Sequence, residues 1–247
     1  MSDHTRLRVK FQKQGPIRYI GHLDVMRFFQ KCIRRAEIDV SYTGGFSPHQ
    51  IMSFAAPLSV GLESLGEYMD IEVNSLTSSE DMIRRLNEAS VPGIRIVSVK
   101  KLPENAGNAM ASVAAAEYFV RFREERVPEL FTRDALSIQS AIREFLDLPE
   151  ILYTKEGKKG SREINLRDGI YKLDWKPEDN ALQMILDASS AGNIKPVQVL
   201  EALLDRYGQS LLENALQILR VETYTALEAD SAGERRLISM DEVGEVF

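Results

Sequence analysis

Two short runs in the first quarter of the chain form its densest polar cluster. They are Arg18-Tyr-Ile-Gly-His-Leu-Asp and Tyr42-Thr-Gly-Gly-Phe-Ser-Pro-His-Gln. The imidazoles of His22 and His49 titrate in the range where a proton can be moved near neutral pH. Tyr42 and Arg18 can stabilise negative charge on a phosphate. His22, His49 and Tyr42 are therefore the catalytic candidates, and Arg18, His22, Arg27, Tyr42 and His49 the candidate ligand-binding set. A plainer reading stands beside each. His22 precedes Met26 and Phe29 on a predicted helix and can simply cap its apolar face. His49 follows Pro48 in a loop and can satisfy backbone groups. Gly44 and Gly45 read as turn geometry before they read as a phosphate cradle. His22, Asp24 and His49 match no standard metal-ligand spacing, so no metal site is expected. Nucleophile-elbow, P-loop and GxGxxG patterns are absent.

A second basic stretch is Lys155-Glu-Gly-Lys-Lys-Gly-Ser-Arg, four of whose eight residues are basic. Lys158, Lys159 and Arg162 form either a phosphate clamp or a solvated loop. Glu63, Glu67 and Asp70 read as a solvated strand edge. The whole chain carries a net charge of −6, yet residues 1–60 hold nine Lys/Arg against four Asp/Glu, a balance of +5, so the remainder carries −11. An acidic total disfavours generic nucleic-acid binding, whereas the local excess keeps an RNA or nucleotide partner open.

These residues need a scaffold, and 247 residues suffice for one large or two ordinary domains. Arg6 to Gln12 alternates as a half-buried strand. A helix follows from near Gly21 to about Ala36, with Val25, Phe29, Cys32, Ile33 and Ala36 as its apolar stripe. Strands are expected at Ile51–Leu58, Gly66–Val73 and Gly93–Lys101, and a helix at Ser78–Ala89. The order is β-α-β-β-α-β, the ferredoxin-like unit. Leu102 to Val113 reads as a linker. The pattern then recurs, with strands at Glu117–Arg123, Ile151–Thr154, Tyr171–Trp175, Leu182–Leu186 and Gln217–Tyr224, and helices at Arg133–Leu146 and Lys195–Tyr207. The expectation is an α+β protein of two tandem ferredoxin-like halves, 1–103 and 114–225, the second with an extra strand and an insertion. A mostly polar tail, 226–247, completes it, of which Val243 to Phe247 could dock.

The single cysteine, Cys32, rules out an internal disulfide, a Cys-held iron–sulfur cluster and a Cys-rich zinc site. No cofactor is expected on the chain itself. Neither a signal peptide nor a membrane-length apolar run is present, so a cytoplasmic location with no membrane partner is expected.

Arg18-Tyr-Ile-Gly-His-Leu-Asp-Val-Met-Arg, Gly45-Phe-Ser-Pro-His, Ser53-Phe-Ala-Ala-Pro-Leu, Gly61-Leu-Glu-Ser and Gly66-Glu-Tyr-Met-Asp resemble the radical SAM-linked protein family. The likeness covers most of the chain and is specific over about residues 16–73. Members of that family are encoded beside, or fused to, a radical SAM enzyme. The resemblance implies a partner that carries the cluster. Relatives tend to read Gly-Phe-Asn-Pro-His-Pro-Lys at the second motif, and Ile51 stands in place of that lysine here, which weakens any phosphate role for the turn. Tandem ferredoxin-like halves also look like the CRISPR repeat-processing RNases, a likeness of architecture alone.

The reading that follows is a module that is not an enzyme on its own. It would be an accessory or substrate-binding partner of a radical SAM enzyme, with RNA as a candidate ligand. Two alternatives remain: a metal-independent ribonuclease using His22 or His49, and a scaffold without a ligand.

Overall fold

The computed structural model describes residues 4–157, 160–227 and 236–247. The elements in chain order are β1 (Thr5–Lys13), α1 (His22–Arg35), β2 (Met52–Phe54), β3 (Glu63–Val73), α2 (Ser79–Glu88), β4 (Ile94–Lys101), β5 (Ala115–Phe122), α3 (Ala135–Leu146), β6 (Leu152–Gly157), β7 (Gly160–Asn165), β8 (Ile170–Lys176), β9 (Ala181–Asp187), α4 (Pro196–Asp205), β10 (Leu216–Ala226) and β11 (Leu237–Ser239). The protein is thus mixed α+β. It divides into two compact units, one of residues 1–114 with 220–247 and the other of residues 115–219.

In the first unit β1 lies between β4 and β3 and pairs antiparallel with both. Its alternation follows from that position. Leu7, Val9 and Phe11 face one core with Met69, Ile71 and Val73 of β3 and Ile94, Ile96 and Val99 in or beside β4. The stripe expected on α1 closes this core through Val25, Phe29, Cys32 and Ile33, and α2 adds Met82 and Leu86. The Ser78 hydroxyl caps α2 by accepting from the Asp81 amide at 3.1 Å. β2 pairs with the second part of β3, Phe54 opposite Met69.

The second unit has its own core. Ile138, Ile142 and Phe145 of α3 and Leu200, Leu203 and Leu204 of α4 pack with Tyr118, Val120, Leu182, Met184 and Trp175. β9 pairs with β5 on one side and β8 on the other. The strand expected at Ile151–Thr154 lies outside that sheet. It is the first arm of a two-stranded hairpin, β6–β7, in which Lys155 sits opposite Arg162. Its residues are largely exposed, so the stretch read as a flexible loop is in large part regular strand.

Residues 236–247, expected as a polar tail, are built into the first unit. β11 pairs with β10, Met240 is fully buried, and Phe247 exchanges hydrogen bonds with Ser79 at the start of α2. Six of its twelve residues are apolar, so Val243 to Phe247 could be expected to dock, but they keep no regular period that announces a strand. No helix among the described residues is long and apolar enough to cross a membrane.

Candidate functional site

The chain leaves β1 through a 3-10 turn, Gly15–Tyr19, whose geometry is set by Glu63. That carboxylate accepts from the Gly15 amide at 2.8 Å and from Arg18 Nη1 at 3.1 Å. The Arg18 guanidinium also lies over the Tyr19 ring, 4.9 Å from its centroid. Arg18 is therefore already partnered. His22 opens α1, and its ring packs edge-to-face on Phe54 at 5.1 Å. It lines a small cavity with Phe11, Val25, Leu58, Lys13 and Glu67, which offers only about 10 Å³, room for about one water.

The far wall of that cavity is charged. Lys13 is buried and donates to the Ile20 carbonyl at 3.0 Å; burial pushes its ammonium below the ordinary pKa, with Glu67 acting the other way. Glu67 is also buried and accepts from Arg220 through Nε at 2.9 Å and through Nη2, which donates in turn to the Ala56 carbonyl. On β1 and β3 a second set lies beside the first. Arg8 and Asp70 form a two-pronged ion pair at 2.8 and 3.0 Å, and Arg8 also donates to the Met240 carbonyl at 3.3 Å. Glu222 gathers Lys10 at 2.6 Å, the Tyr68 hydroxyl at 2.7 Å and the Ser239 hydroxyl at 3.1 Å. Burial, and after it Glu222, holds the Tyr68 phenol far above its usual pKa, so it stays protonated. The tight fit of β10 against β3 needs Gly66, where a Cβ would come within 2.8 Å of the Glu222 backbone.

Glu67 and Asp70 are consequently not the solvated edge that their sequence suggests. β3 is an interior strand, flanked by β1 and by β10, and each carboxylate has an arginine on a neighbouring strand.

The second polar run forms a turn clamped at its base. Tyr42 and Gln50 make an antiparallel bridge. The Thr43 amide donates to the His49 carbonyl at 2.9 Å, and the His49 amide to the Thr43 hydroxyl at 3.1 Å. That hydroxyl also lies 3.0 Å from His49 Nδ1. Gly45, at φ +98°, turns the tip in a conformation that suits glycine. The turn docks on α1 through Gln50, whose Nε2 donates to the Gln30 carbonyl at 3.2 Å. Arg34 Nε donates to the same carbonyl at 3.3 Å.

Matching against protein families aligns residues 6–196 with a family described as an uncharacterized protein conserved in bacteria, DUF2344. The chain belongs to that bacterial family. No curated protein matches it. The DUF2344 match contains both polar runs and ends before Arg220 and Glu222, the β10 residues that complete the buried ion pairs.

Within the family stretch the expected site residues fall into separate groups. Arg18 and His22 sit on adjoining turns at the start of α1. Arg27 is exposed on α1 and pairs with Asp24 at 3.3 Å. Tyr42 and His49 belong to the turn that docks at Gln30, eight residues or about 12 Å along α1 from His22. No hydrogen bond or ring contact joins His22 to His49 among the described residues. Arg162 is on β7 of the other unit, and Lys158 and Lys159 lie outside the described residues. Among the described residues, no three His, Cys, Asp or Glu side chains gather as metal ligands. Sequence reasoning missed Lys13, Glu67, Arg220, Arg34 and Gln50. Only for Lys13 was there a signal, a lysine at the inward position of an alternating strand.

Proposed function

We propose that the chain is a non-catalytic, cytoplasmic recognition module that works with a separate radical SAM enzyme and holds RNA for it. One observation carries the reading: four aromatic or aliphatic side chains in or beside the motifs that resemble the radical SAM-linked family are displayed outward, although other motif residues are buried. Tyr19, Leu23, Tyr42 and Phe46 are all exposed, whereas the cavity beside His22 admits about one water. Exposed aromatic residues, together with the exposed cations Arg27, Lys31 and Arg34 of α1, suit the recognition of a partner better than chemistry on an enclosed substrate. A single cysteine, itself buried, leaves cluster chemistry to another protein. The ribonuclease alternative needs two of His22, His49 and Tyr42 at one scissile phosphate, and their separate partners count against it.

The same reading takes both units as ferredoxin-like halves. Its support is the adjacency β4-β1-β3-β2 in the first and β5-β9-β8 in the second, with β6–β7 as the insertion.

The test is affinity capture from the native cell with the full chain as bait, with and without ribonuclease treatment. A retained protein that binds iron and sulfide and cleaves S-adenosylmethionine supports the reading, as does co-purified RNA. Retention of neither class, from cells that express both, overturns it.

A further inference from the structure

We propose that the Tyr42–Gln50 turn and the adjoining face of α1 form a site for unpaired nucleotides of a single RNA strand. Bases would stack on Phe46 and Tyr42, and phosphates would meet Arg34, Lys31 and Arg27. The inference rests on the RNA reading above and gives it a location and a mode.

The first argument is the display of the two rings. Phe46 is exposed to the full extent, 111% of its reference area, and Tyr42 to 51%. A single exposed apolar residue needs no explanation, but here two exposed rings share one short turn on a built support, as a stacking surface requires. The support is built: the Tyr42–Gln50 bridge and the Thr43–His49 bonds close the base of the turn, and Gln50 ties it to α1. Little ordering is then left to pay when a base arrives.

The second argument is convergence. The Gln30 carbonyl accepts from Gln50 and from Arg34, so the amide and the guanidinium lie side by side. The Tyr42 hydroxyl is within 3.5 Å of the same amide. Arg27 and Arg34 are three residues before and four after Gln30, on the face where the turn sits. Gln50 is 5% exposed, and its Oε1 has no hydrogen-bond partner. A buried acceptor left unpaired is unfavourable in the free chain and marks the foot of the turn as a polar position that the fold alone does not satisfy.

The third argument selects the ligand class. Exposed rings on a turn that docks on a helix carrying exposed cations offer the stacking platform and charged track of single-strand binding. A duplex hides its base faces in its own stack, so unpaired nucleotides fit and paired ones do not. Three cations on one helix, none of them buried, suit a polyanionic strand, each of whose phosphates takes a positive partner. The lysine absent at position 51 is no obstacle, because here the phosphate contacts come from α1.

The test is fluorescence anisotropy with an unstructured oligoribonucleotide of about ten nucleotides. Its duplex, the single-stranded DNA of the same sequence and heparin are the comparison ligands. Phe46→Ala and Tyr42→Ala should each weaken RNA binding by about five- to a hundredfold, while Tyr42→Phe, which keeps the ring, stays near the unmodified protein. Arg34→Ala should lower the salt slope by about 0.7. Circular-dichroism melts of the Phe46 variant should be unchanged, since the ring is exposed. DNA bound as well as RNA supports the stacking site while removing RNA as the preferred ligand. RNA binding that survives both alanine substitutions overturns the site and leaves RNA recognition standing elsewhere on the chain. Duplex or heparin bound as tightly as the single strand also overturns it. No binding of any oligonucleotide at low salt overturns both the site and the RNA reading. Loss of a captured protein, rather than of RNA, in Phe46→Ala would make the turn a protein contact and overturn the site.

Discussion

Asp70→Asn is the most informative single substitution for the buried half of the first unit. It keeps the shape of the side chain and removes its charge. Arg8 and Asp70 have side chains only 1% and 6% exposed, and they meet through two parallel bonds of 2.8 and 3.0 Å. The amide can accept one of those bonds, but it leaves the guanidinium charge buried and uncompensated. Removing one partner of such a pair costs about 3–5 kcal/mol. That is a large part of the roughly 5–15 kcal/mol that holds an ordinary domain together. The double replacement Arg8→Met with Asp70→Leu removes both charges, so its cost should fall well below that of the single change. The Met240 carbonyl, which would lose the Arg8 donor, keeps that recovery incomplete. The assay is urea unfolding followed by circular dichroism and by the emission of Trp175, the only tryptophan, buried in the core of the second unit. The ellipticity transition should move to lower urea ahead of the tryptophan transition. A loss below about 1 kcal/mol, the value of an exposed pair, would refute the reasoning. Water would then reach Arg8, and residues 237–247 would not cover it in solution.

Other outcomes can be checked with the same protein. Lys13 binds its proton less readily in the folded chain than in the unfolded chain, whose lysine titrates near 10.5. Between the lowered folded value and 10.5 the unfolded chain holds more protons, so this group's contribution to stability rises with pH through that window. Urea midpoints against pH should show the rise, and Lys13→Met should flatten it. Tyr68→Phe removes a hydroxyl that donates to Glu222 and lies 2.9 Å from Ser239. It should cost about 1.5–3 kcal/mol in urea unfolding, as a bond to a charged group does. Burial holds the Cys32 thiol above its ordinary pKa, so it should resist iodoacetamide in buffer and label quickly in urea. If Lys158, Lys159 and Arg162 touch RNA phosphates, their replacement by alanine should weaken binding across sequences. It should also lower the salt slope by about 0.7 per lost contact on a single strand, whereas His22→Ala should leave that slope unchanged.

Local pattern was enough to reveal the elements. The alternation of Arg6 to Gln12 marks β1 as a strand, and Leu7, Val9 and Phe11 do face the apolar core, although Arg8 on the opposite face is buried too, against Asp70. The stripe Val25, Phe29, Cys32 and Ile33 marks the inner face of α1, because residues three and four apart share one side of a helix. The two polar runs also stood out by composition, and both lie in the family match. Which of their side chains meet was decided only by tertiary structure. Arg34 looked like one more solvated cation until Gln50 arrived at the same carbonyl from a different part of the chain. Glu67 and Asp70 read as solvated because a carboxylate in isolation belongs in water. Their partners stand 153 and 62 residues away, on strands whose register nothing in the local sequence announces. Periodicity reports which way a side chain points from its own element. Whether water, a ring or an arginine waits there depends on the element that packs against it, and that is a property of the folded chain.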